Sequence, residues 1–160
     1  MYIQQLYMKD LNIRLKTVSE LSVSKQAVIN VFLTHTMFKT KLLDVLKPHD
    51  LSIEQFNVLR ILRGQKGKPL NLQDVQDRMV SKMSNTTRLI DKLILKEFVN
   101  RDECPENRRK IELLISSEGL KKLEEIDTLV DQTETQMTSN LTKTELKQLN
   151  FLLTKLATTA

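Results

Sequence analysis

Cysteine is almost missing from this chain, and so are the residues that interrupt helices: one Cys, three Gly and three Pro in 160 residues. The lone Cys104 allows no internal disulfide, and no Cys/His cluster has zinc-ligand spacing. A chain of this length can bury a core large enough to need neither, and it suits one domain or one compact unit with extensions. Scarce glycine and proline leave little linker material and imply much helix. There is no glycine-rich phosphate loop, Ser/His/Asp set or metal cluster, so an enzyme is the weakest class and no cofactor is expected. The opening MYIQQLYMKDLNIRLK is broken by polar and charged residues every few positions, unlike a signal peptide or a membrane span. A cytoplasmic protein without a membrane partner is the expectation.

What the chain does have is basic charge, unevenly placed. Its net charge is +5, but residues 60–110 hold 13 Lys/Arg against 7 Asp/Glu, whereas residues 111–160 hold 5 against 8. A basic middle third points to a polyanion as partner, with a merely solvated basic surface as the plain alternative.

Apolar periodicity sets out the elements. Ile3, Leu6, Tyr7, Leu11, Leu15 and Val18 suggest a short helix. Val28, Val31, His35, Phe38, Leu42 and Val45 then form a narrow helical seam of the kind that packs on another helix, closed by Pro48. Three later starts carry capping chemistry: Ser52 with Gln55, Asn71 with the Leu70/Val75 staple, and Thr142 with Glu145. Helices are expected over 53–63, 72–79 and 82–96. A strand over Phe98 to Arg101, a loop over Asp102 to Arg108, and a strand with Ile111, Leu113 and Ile115 on one face make a hairpin. A long helix capped by Ser116 or Ser117 and a last helix with Leu146, Leu149, Leu153 and Leu156 complete the chain.

Three helices and a hairpin are the order of a winged helix-turn-helix, in which the last of the three enters the DNA major groove. A helix over 82–96 would place Ser81, Asn85, Arg88 and Lys92 on one face, with Ser84 and Thr87 beside them and Met83, Ile90, Leu93 and Ile94 on the other. Short hydrogen-bonding groups and two cations suit base edges and phosphates. A solvated helix face would more often pair glutamate with lysine. Lys82 and the hairpin's Arg108, Arg109 and Lys110 add to the candidate DNA-binding set.

The run Met79 to Leu93 resembles the recognition helix of MarR-family regulators, Arg101 to Lys110 looks like their wing, and Leu113 to Gly119 is similar to their strand-to-helix junction. The resemblance covers about residues 25–158. It implies a mainly α fold with a small β hairpin, a winged helix-turn-helix flanked by dimerisation helices. The expected divisions are 1–47, 48–115 and 116–160. It also implies a homodimer on pseudopalindromic double-stranded DNA, and a small-molecule effector as a further partner. Val28, Val31, Phe38, Leu146, Leu149, Leu153 and Leu156 are the expected dimerisation residues. Two positions depart from the family pattern: Asn107 stands where an aspartate usually pairs with the wing arginine, and Glu97 where a turn usually carries glycine.

Other residues have plain readings. Cys104 has no second thiol and reads as incidental. His35 reads as a hydrogen-bonded interfacial histidine, and Met79, Met83 and Met137 as core. The competing function is a winged module that binds protein and not DNA, which exposed large apolar residues on the third helix would favour. Leu95 is one such residue.

Overall fold

The computed structural model describes residues 15–16, 21–104 and 107–158, leaving aside the side chains of 103–104 and 107–110. Residues 1–40 and 41–160 form two compact units. The helix expected over residues 3–18 lies outside the described residues, apart from Leu15 and Lys16.

Helix α1 runs Val23–Leu46 and gives way to a 3-10 turn, Lys47–His49, that contains Pro48. The pyrrolidine ring has no N–H to continue an α-helix, and it disfavours helical geometry in the residue before it. Asp50 then turns left-handed at φ 54°, its N–H bonded to the Lys47 carbonyl at 3.1 Å.

Each expected cap is present. In α2 (Ile53–Gly64) the Gln55 N–H donates to Ser52 Oγ at 3.1 Å, and the Ser52 N–H donates to Gln55 Oε1 at 3.0 Å. In α3 (Leu72–Arg78) the Asp74 N–H donates to Asn71 Oδ1 at 2.8 Å. In the last helix, Lys143–Ala157, Thr142 and Glu145 form the same reciprocal box. A lost cap of this kind costs about 1 kcal/mol.

The third helix of the winged unit differs from expectation. It is α4, Thr86–Leu95, and not 82–96. The Ser84 N–H bonds back to the Ser81 carbonyl at 3.2 Å, closing a turn, and Asn85 Oδ1 accepts the Arg88 N–H at 3.1 Å as the cap. Short polar side chains divert the backbone in this way before a helix can start. Ser81 and Asn85 therefore do not share a helical face with Arg88 and Lys92. Met83, expected in the core, sits in that turn and is 96% exposed. Leu72, the first residue of α3, is also exposed.

Strand β1 (Val99–Cys104) pairs antiparallel with β2 (Asn107–Ile115), Val99 opposite Ile115 and Arg101 opposite Leu113. The hairpin is longer than expected: Asp102 and Glu103 are strand residues, because the ladder opposite Glu112 and Ile111 supplies their partners. Leu70 adds a bridge on the other side, exchanging two bonds of 3.1 and 2.8 Å with Leu113.

Helix α5 (Ser117–Met137) begins at the cap Ser116. The Ser116 hydroxyl donates to the Glu97 carbonyl at 2.6 Å and accepts the Gly119 N–H at 3.0 Å, while its own N–H donates to the Phe98 carbonyl at 3.0 Å. The core collects around Leu46, Leu59, Leu93, Leu113, Leu123 and Ile126, drawn from α1, α2, α4, β2 and α5. Arg63 of α2 pairs with Asp127 of α5 beside it. Helix α6 (Lys143–Ala157) buries none of its residues.

Candidate nucleic-acid interface

Helix α4 divides cleanly. Thr86, Ile90 and Leu93 are buried, while Thr87, Arg88, Asp91, Lys92 and Leu95 are exposed. Buried residues at i, i+4 and i+7 fix which way the helix lies, so the polar side must face out. Arg88 and Lys92 are one turn apart on it.

The approach to α4 is also fastened. Asn57 of α2 accepts the Val80 N–H at 3.0 Å. The Lys82 ammonium donates to the Asp77 carbonyl, so this cation folds back over the end of α3. Ser81, Lys82 and Asn85 are exposed, and Ser84 is half-buried. The structure thus brings the expected residues together in two parts: Ser81, Lys82 and Ser84 in the turn with Asn85 as the cap, and Thr87, Arg88 and Lys92 on the helix. Asn85 spends its carbonyl oxygen on the cap and keeps its amide donors.

Two ion pairs flank the face. Arg101 of β1 lies 3.7 Å from Asp91. Lys96 lies 2.8 Å from the Asp50 carboxylate and also donates to the Asp50 carbonyl. Through that hydrogen bond and its charge, with a smaller contribution from Lys92, Lys96 holds the Asp50 carboxyl below the ordinary aspartate range. Sequence reasoning missed both pairs, since no local pattern links residues 10 or 46 positions apart. At the far end of α4, Glu97 takes a left-handed conformation, φ 60°.

The hairpin backbone carries Arg108, Arg109 and Lys110 on β2; their side chains, with those of Asn107 and Cys104, lie outside the described residues. Among the described residues, no group of three or more His, Cys, Asp or Glu could hold a metal ion, and no helix is long and apolar enough to cross a membrane.

The sequence profile of the MarR family matches residues 51–111. The crystal structure of a MarR transcription factor from Planctomyces limnophilus is similar over 83% of this chain and 96% of its own, at 29% identity and a TM-score of 0.65. The winged part of the chain, residues 51–111, is thus similar to the MarR family. The stretch matched by the MarR profile starts one residue before the Ser52 cap and ends in β2, so it holds all the expected DNA-binding residues, Ser81 to Lys92 and Arg108 to Lys110. The uncharacterized HTH-type transcriptional regulator YfiV of Bacillus subtilis (strain 168) is 34% identical over 74 residues, 46% of this chain and 44% of YfiV. The match therefore spans less than half of that relative's length. A MarR variant from E. coli, in complex with operator DNA, shares the fold: it is 22% identical, with a TM-score of 0.74 over 85% of this chain and 99% of its own.

Proposed function

We propose that the chain is a sequence-specific, double-stranded DNA-binding transcriptional regulator that acts as a homodimer. The observation that carries this reading is the outward side of α4: Thr87, Arg88 and Lys92 exposed beyond a capping Asn85, on a helix whose other side is locked into the core. Arginine forks fit guanine, amides fit adenine, and lysine and hydroxyls fit phosphate. The wing's Arg108, Arg109 and Lys110 would take the adjacent backbone or minor groove.

The dimer part rests on unburied apolar surface. Helix α6 buries nothing, yet carries Leu149, Phe151, Leu152 and Leu153 at 40–65% exposure. Val28 and Val31 of α1 are likewise exposed, at 53% and 40%, and Phe38 and Leu146 are half-buried. Apolar faces of this extent mark contact surfaces. Leu156 lies on the same α6 surface. A dimer would present two α4 helices about 34 Å apart, one turn of duplex. Control by a small effector is part of the family resemblance and is proposed on that ground alone.

A winged module for a protein partner is the second reading, favoured by the exposure of Val80, Met83 and Leu95 at 84–96%. Selection of bound sequences from random duplex DNA decides between them. An enriched sequence with two inverted half-sites is the result expected; no enrichment would leave the protein-binding reading.

A further inference from the structure

The turn that leads into α4 is closed by the Ser84 N–H on the Ser81 carbonyl at 3.2 Å, which puts Lys82 and Met83 at its two corner positions. The two corners are treated differently. Lys82 is drawn back to the Asp77 carbonyl, while Met83 stands 96% exposed. The neighbours of Met83 are polar: Ser81 and Lys82 are exposed, Ser84 is half-buried, and Asn85 caps the helix. Scattered exposed apolar residues are ordinary on protein surfaces. This one is set apart by its place, at the tip that precedes the N-terminus of the outward-facing helix, inside a basic surface.

In helix-turn-helix docking the N-terminal end of the third helix goes deepest toward the bases. The major-groove edge of DNA offers donors, acceptors and a single apolar group, the C5-methyl of thymine. Methionine, unbranched and polarizable, adapts well to a small apolar target. We infer that Met83 reads a thymine C5-methyl in the major groove, and so specifies a T·A pair in each half-site beside the bases reached by Arg88. This rests on the DNA-binding reading above.

The test uses a duplex enriched from a random pool by the wild-type chain, and copies in which one thymine at a time becomes deoxyuridine. Deoxyuridine pairs identically and lacks only the methyl. At one thymine per half-site the wild type should lose about fourfold in affinity, the worth of one buried methyl. Met83→Ala should bind the parent duplex about as weakly and make no distinction between thymine and uracil there. Met83→Leu should keep the distinction and Met83→Gln should lose it. Because Met83 supports no packing, unchanged thermal unfolding is expected for all three. The inference is overturned if no uracil position weakens the wild type, or if Met83→Ala keeps the same uracil sensitivity. Failure to enrich any duplex would instead fail the DNA-binding reading itself, and Met83 would then belong to a protein-contact surface.

Discussion

Arg101 of the first wing strand reaches Asp91 of α4, with Nη1 3.7 Å from Oδ1. The pair is about half exposed on both sides, so it adds little to stability. Its effect is on charge and direction. Asp91 is the one carboxylate on the outward side of α4, and Arg101 neutralises it, so Arg88 and Lys92 dominate what the helix presents. The same contact ties the root of the hairpin to that helix.

Arg88→Ala should weaken binding to an enriched duplex by about 1–3 kcal/mol and relax preference at one base pair. Arg108→Ala and Arg109→Ala should weaken binding to all duplexes, each lowering the slope of log affinity against log salt by about 0.9. Titrations at several salt concentrations check this; wild-type affinity and slope in all three variants would remove both α4 and the wing from the DNA.

Leu149→Glu or Leu153→Glu should reduce dimer content and DNA affinity together, because each sets a charge into the exposed α6 surface without touching the core. Sedimentation and binding on the same samples check this. A variant that is monomeric yet binds at wild-type strength would disprove the dimer reading.

Glu97→Gly should stabilise the fold by roughly 0.5–1 kcal/mol. Glu97 sits at φ 60°, where a side chain costs about 1–2 kcal/mol and glycine pays only for its looser unfolded chain. Both backbone bonds at this position, to Ile94 and Ser116, are kept by glycine. Urea unfolding gives the sign.

Gly119→Ala should destabilise by about 1–3 kcal/mol or more. A Cβ there would run into the Phe98 carbonyl oxygen and the Ile115 side chain, and that carbonyl is already fixed by the Ser116 N–H. An unfolding midpoint equal to wild type would mean that the junction is looser than described.

Asp50→Asn should be less stable than wild type at neutral pH and equal to it in acid. The Asp50 carboxyl is held below its ordinary value by Lys96, so its contribution is complete above the unfolded-state pKa of about 4 and fades as pH falls through the lowered one. Stability curves from pH 7 to pH 2 should converge, and should converge at every pH in high salt.

The caps at Ser52, Asn71 and Thr142 were legible because each is decided within four residues. The outward set Thr87, Arg88 and Lys92 was legible because the helix period fixes it once Ile90 and Leu93 are inward. The start of α4 was not. Ser81, Ser84 and Asn85 can all cap a helix, and Met83 fits the apolar period, so local signals compete until the turn closes. The wing's length was hidden for a similar reason: Asp102 and Glu103 read as loop, yet a two-stranded ladder leaves one side free for charges. The Leu70–Leu113 bridge and the Asp91–Arg101 pair join distant positions and leave no periodic trace.

Ser116 gives the molecule a transmission. Its three hydrogen bonds gather the exit of α4, at Glu97 and Phe98, and the first turn of α5, at Gly119, into one joint without slack. A twist of the long helix α5 about its axis would therefore reach α4 first at Glu97 and Phe98, through this one residue. The hairpin shares that joint through the Val99–Ile115 end of its ladder.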